Sequence, residues 1–153
     1  MTRVLFTILA LLLVTEARAE SPVPYSGTEI VDTGQPFDAY VTKLLAAVKS
    51  NGMGVVAQAC ATCGAKSIGV DIPGNRVVMV FNPRFAVRML EASVAAGVEA
   101  PLRLYVVELA DGSARLSYRL PSHVFAPYAV PALDEMAREL DTILARIVAE
   151  AGR

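Results

Sequence analysis

The sequence predicts an α+β domain with helices packed on one face of a mixed, largely antiparallel sheet, and three observations carry that expectation. Two stretches place their apolar residues with the helical period: Phe37, Tyr40, Val41, Leu44, Leu45 and Val48, then Leu133, Met136, Leu140, Ile143 or Leu144, and Ile147. A third stretch alternates instead. Leu116, Tyr118 and Leu120 point to one side and Arg115, Ser117 and Arg119 to the other, as in a strand with one solvated face. Just upstream, Asp111-Gly112 is a hairpin-turn signal, so a strand over Leu102–Glu108 should pair antiparallel with the alternating one.

In chain order, Glu29 to Thr33 forms a short strand and Gly34-Gln35-Pro36 opens the first helix, with Pro36 suited to its first turn. Asn51-Gly52 ends that helix, because both residues tolerate the left-handed conformation. Gly54–Ala59 is a second strand. Cys60 to Asn75 reads as a loop, since Gly64, Gly69, Pro73 and Gly74 leave room for little more than a helical turn or two. Arg76–Phe81 carries apolar residues on both faces, as a buried strand does. Asn82-Pro83 supplies an N-cap and a first-turn proline for a helix running to about Val94. Pro121 to Pro131 reads as a loop rich in aromatics and prolines, and the last helix follows. The order is β-α-β-β-α-β-β-α, one layer of helices over a sheet, without internal repeat or second domain.

Ahead of this domain, Arg3 provides a positive charge, Val4–Val14 an uncharged and mostly apolar run, and Ala17-Arg18-Ala19 a small-x-small cleavage pattern. Residues 1–19 are thus expected to be a signal peptide, residues 20–27 a flexible arm, and residues 28–150 the folded domain. The apolar run falls short of the ~20 residues of a bilayer span, so no membrane association is expected after cleavage. No cysteine follows the cut, which gives no lipid anchor. The expected compartment is periplasmic or secreted. Cleavage removes Arg3, Arg18 and Glu16 and leaves twelve basic against fourteen acidic residues, a net charge of −2. That balance gives no reason to expect nucleic acid as a partner.

Cys60-Ala61-Thr62-Cys63 is the one chemically pointed motif, and an oxidising compartment favours its closure to a disulfide. Closing so short a loop restrains the unfolded chain by only roughly 2 kcal/mol. A bridge that contributes so little to stability is a reasonable redox pair, with Cys60 as nucleophile and Cys63 as resolving thiol. Strand, CxxC, strand, helix, X-Pro, hairpin and helix resembles the thioredoxin arrangement, with Ala100-Pro101 where that family carries its cis-proline. Against it, no long helix can follow Cys63, no Trp precedes Cys60 and no Pro separates the cysteines. A metal reading would need a third ligand, for which His123, the sole histidine, is the candidate beside Cys60 and Cys63. No cofactor is expected.

Other candidates are less pointed. His123 adjoins Ser122, but sequence neighbours seldom face each other productively, and no GxSxG elbow exposes a nucleophile. Arg103 shares a sheet side with Tyr105 and Val107, where it edges a partly covered face or lines a pocket. Tyr118 and Tyr128 complete the ligand-binding candidates, although buried tyrosines usually pack with a satisfied hydroxyl. Arg88 and Glu91 are spaced for a surface ion pair on one helix.

The run from Ile72 to Glu108, IPGNRVVMVFNPRFAVRMLEASVAAGVEAPLRLYVVE, resembles the bacterial family catalogued as domain of unknown function 302, as does LSYRLPSHVFAPY from Leu116 to Tyr128. The likeness is to its exported branch and covers roughly residues 28 to 150. It implies a compact α+β domain able to form a homodimer, and it assigns no catalytic residue. The functional expectation is a non-enzymatic exported module that binds a small molecule or a periplasmic protein. A periplasmic thiol-disulfide redox protein is the first alternative, and metal handling through the same cysteines the weaker one.

Overall fold

A computed structural model describes residues 25–153. The expected signal peptide, and the expected arm up to residue 24, lie outside the described residues. Five strands form one sheet: β1 (Thr28–Pro36), β2 (Gly54–Cys60), β3 (Asn75–Phe81), β4 (Leu102–Glu108) and β5 (Ser113–Arg119), in the spatial order β1-β5-β4-β3-β2. Every neighbouring pair is antiparallel, so the sheet is not mixed. From β2 to β5 each strand lies antiparallel beside the next in the chain, while β1 and β2 hold opposite edges and β1 pairs with β5.

The strand period of two divides the sheet into unlike faces. Val78, Val80, Leu104, Val106, Ala114, Leu116 and Tyr118 point into a single core, where they meet α1 (Phe37–Ser50), α3 (Pro83–Ala92) and α5 (Pro131–Ala151). Ile30, Arg103, Tyr105, Arg115, Ser117 and Arg119 occupy the alternate positions, with no helix over them and each at least partly open to solvent. Val77 and Met79 also lie on that side and are half-buried, so β3 is fully covered on one face only.

Local chemistry explains most boundaries. Pro36 stands at the N-cap rather than inside α1, and the Phe37 N–H donates to the Gly112 carbonyl of the β4–β5 turn. That turn holds Ala110-Asp111-Gly112 between a Leu109–Ser113 hydrogen bond, with Gly112 at φ +81°. It is a three-residue loop whose last residue needs the left-handed region. At α3, Asn82 accepts the Arg84 N–H and Pro83 fills the first turn, as the sequence predicts.

Three expectations need correction. The helix expected to reach Val94 stops at Ala92, and a 3-10 segment, Val94–Glu99, follows. The stretch Pro121 to Pro131 is not a plain loop. It begins with α4 (Pro121–Phe125) and a 3-10 turn (Ala126–Tyr128), and α4 is fastened from outside its own sequence when Asp141 accepts the Ser122 N–H at 3.0 Å. Arg88 does not pair with Glu91. It reaches across to Glu139 on α5, with two bonds of 2.7 and 2.8 Å, and this forked contact lowers the carboxyl pKa of Glu139. The region after Cys60 holds a two-turn helix, α2 (Ala61–Ser67), within the length expected of it.

Tyr40 lies at the centre of the core, fully buried, and its hydroxyl has no partner among the described residues. Burial, with a smaller contribution from Tyr118, pushes its pKa up to about 12.

Candidate functional site

The sheet ends in two different environments. At one end β2 runs into α2, and Cys60 and Cys63 are joined as a disulfide with their Cα atoms 5.2 Å apart. Cys60 caps α2, its sulfur accepting the Cys63 N–H at 3.0 Å. Arg76 is the cross-strand neighbour of Cys60, and its guanidinium donates to Gln58 at 3.0 Å. Thr62 donates to the Pro73 carbonyl and accepts the Asn75 N–H, so α2 is stitched to the segment that enters β3. Asn75 in turn donates to the Tyr105 hydroxyl at 2.6 Å.

At the other end, where β4 begins and β5 finishes, lies a small rim pocket of about 50 Å³ lined by Glu99, Leu102, Arg103, Arg119 and Val124. The Leu104–Tyr118 pairing leaves Arg103 and Arg119 next along the two strands, directly opposite each other on the open face. Like charges in that relation destabilise a sheet. Neither arginine has an ion pair or side-chain hydrogen bond among the described residues. Arg115, four residues before Arg119 on the same face, is treated differently. It forks onto Asp32 and holds that carboxyl below its ordinary pKa. Glu99 closes the pocket and accepts the Tyr128 hydroxyl at 3.1 Å. Desolvation, then that bond to Glu99, raises the pKa of the phenol.

Of the residues singled out in the sequence, Arg103 lines this pocket and Tyr128 stands behind it through Glu99. His123, beside Val124 on α4, is exposed. Its Nε2 lies 3.0 Å from the Ser26 hydroxyl rather than against Ser122. Gly27 runs so close beneath the imidazole that a Cβ there would lie 2.1 Å from Cγ. Tyr118 does not join the group, because it faces the helices and is buried, which raises its pKa. Cys60, Cys63 and His123 do not converge. The cysteines are bonded to each other at one end of the sheet and the histidine sits at the opposite end. Among the described residues no group of three or more His, Cys, Asp or Glu side chains is placed to hold a metal ion. The Ala100–Pro101 peptide is cis, yet it precedes β4 at the Val80 end of β3, whereas Cys60 lies at the Arg76 end. The opposition of proline and dithiol on which the thioredoxin comparison rests is therefore missing.

Of the pocket's charged residues, Arg119 and Glu99 are not among the candidates drawn from the sequence. Arg119 carried a usable signal, since the Asp111-Gly112 turn joins its strand to that of Arg103 and alternation puts both on one side. Glu99 carried none. Its place depends on the 3-10 segment and on a contact with Tyr128 far along the chain.

Comparison with known proteins follows the same lines. The chain belongs to the family described as domain of unknown function DUF302, whose profile matches residues 29–151. It is similar in fold to the crystal structure of an uncharacterized conserved DUF302 protein from Bacillus stearothermophilus. The TM-score is 0.73 at 24% sequence identity, covering 82% of this chain and 98% of the other. No curated protein matches the chain.

Proposed function

We propose that the protein is an exported, non-enzymatic binding module that takes a small molecule at the rim pocket and pairs with a second copy of itself. One observation carries the binding part: Arg103 and Arg119 face each other across a hydrogen-bonded strand pair and share a cavity, with no counter-charge committed to them among the described residues. A ligand anion would remove that repulsion. The leader pattern at Arg3, Val4–Val14 and Ala17-Arg18-Ala19 supports export, and a closed Cys60–Cys63 bridge is what an oxidising compartment produces. Self-pairing draws support from α3 and the segment after it, where Val87, Leu90, Val94 and Val98 are exposed and Gly97 brings Leu90 beside the second pair.

Native mass spectrometry of protein purified from the periplasm tests all three parts. The expected result is a chain starting at Glu20, a dimer, and a bound small molecule that an Arg103→Gln/Arg119→Gln variant of unchanged melting temperature does not retain. A chain that keeps Met1 removes the export reading, and ligand retained by the double variant removes the rim pocket.

A second reading, a thiol-disulfide redox protein, draws on the capping of Cys60. If the bridge were reduced, the Cys63 N–H and the cross-strand Arg76 would both favour a Cys60 thiolate, making Cys60 the attacking sulfur and Cys63 the resolving one. Insulin reduction that disappears in Cys60→Ser supports this reading, and no turnover by the wild type ends it.

A further inference from the structure

We infer that the rim pocket selects a short monocarboxylate that carries its own hydrogen-bond donor on the adjacent carbon, an α-hydroxy or α-amino acid. The inference rests on the rim pocket being a binding site and adds what the site recognises.

Charge sets the first requirement. Two guanidiniums and one carboxylate leave the pocket with a net single positive charge, which an α-hydroxy acid's one negative charge neutralises. In an α-amino acid the carboxylate meets the guanidiniums and the ammonium offsets Glu99. A dianion such as a phosphate ester would bring surplus negative charge against Glu99. Two arginines side by side suit a carboxylate, because each planar guanidinium can address one of its oxygens. Hydrogen bonding sets the second requirement. Tyr128 donates to Oε1 of Glu99, while Oε2 has no donor among the described residues. A bare alkyl acid would present a methylene to that oxygen, whereas an α-hydroxyl or α-ammonium presents a donor. Size sets the third. A cavity of about 50 Å³ accommodates a small head group and leaves any longer substituent outside. Leu102 and Val124 supply the apolar side of the wall.

Propionate, L-lactate and L-alanine share one carbon skeleton and differ chiefly at the α-substituent, so they separate these requirements. Titrations followed by calorimetry, with inorganic phosphate as a fourth probe, should give saturable binding of lactate or alanine about tenfold or more tighter than propionate. That is the ratio expected of one charge-assisted hydrogen bond. Phosphate should bind more weakly than the better of the two. Arg103→Gln/Arg119→Gln should abolish binding of every probe. Glu99→Gln should cut the preference over propionate severalfold while the protein stays folded. Propionate binding as tightly as lactate and alanine, or phosphate binding more tightly than both, overturns the donor-and-monoanion inference but leaves an anion pocket standing. Binding of none of the four overturns the inference as well, and the ligand mass from the periplasmic protein then decides the pocket reading separately.

Discussion

The two ends of the sheet carry the same kinds of groups and use them in opposite ways. Around the disulfide, Thr62, Asn75, Tyr105, Gln58 and Glu108 are knitted into hydrogen bonds with one another or with nearby backbone, and the main loose end is the buried Nε of Arg76. At the opposite rim, two arginines and one carboxylate oxygen have no partner among the described residues. A saturated network fixes geometry, whereas an unsaturated one holds recognition capacity in reserve. Arg115 sharpens the contrast, since the same residue type on the same face is neutralised only four residues from Arg119.

Glycine offers the largest test of this difference. Gly74, near the disulfide end, lies beneath Phe37 so closely that a Cβ would come within 2.6 Å of the ring, and Phe37 is buried in the core. Gly27, at the rim, lies beneath the exposed His123, where a Cβ would come within 2.1 Å of Cγ and 2.4 Å of the histidine Cβ, so swinging the ring outward clears only part of the clash. Gly74→Ala should therefore destabilise by roughly 2–3 kcal/mol, the cost of overpacking. Gly27→Ala should cost at least as much, because a left-handed backbone at φ +76° adds about 1–2 kcal/mol to the clash with His123. Urea denaturation of the two variants checks the order. A Gly27→Ala cost well below that of Gly74→Ala would mean that the rim backbone yields where the other end does not.

Cys60→Ser/Cys63→Ser comes next. Loss of so short a loop should cost about 2 kcal/mol or less. Lactate and alanine affinity at the rim should not change, because Arg103 and Cys60 lie two strands and three residues apart, roughly 14 Å at ~3.3 Å per residue and ~4.8 Å per strand. Altered affinity would show that the ends communicate. The smallest effect is electrostatic. Hydrogen bonds from Arg115 depress the folded-state pKa of Asp32, so that group's contribution to stability is complete above the ordinary carboxylate range and is lost as pH falls through it toward the lowered value. Asp32→Asn should flatten the acid limb of a melting-temperature profile slightly, and less so at high salt.

How much of this was legible in the sequence depended on the range of the forces involved. The strand Leu102–Glu108, the Asn82-Pro83 helix start and the alternation from Arg115 to Arg119 are set by neighbours a few residues away, and they were read with little error. The helical turns at Pro121–Tyr128 were missed. Two prolines and an aromatic cluster look like a loop until Asp141, some twenty residues on, accepts the Ser122 N–H. Arg88 was given the wrong partner for a similar reason, because helical spacing proposes Glu91 while the packing of α3 on α5 supplies Glu139. The rim pocket was half legible. Arg103 could be placed from strand parity, but Glu99 enters only through tertiary contact with Tyr128.

Tyr40 brings a further property. The chain contains five tyrosines and no tryptophan, so its near-ultraviolet absorbance at high pH is a tyrosinate signal with little to mask it. A phenol held neutral to about pH 12 while its unfolded counterpart ionises near 10 favours the unfolded chain as alkali is added across that interval. Loss of the fold in base should thus release one late-ionising chromophore from the centre of the core, giving the molecule a built-in optical gauge of its own collapse.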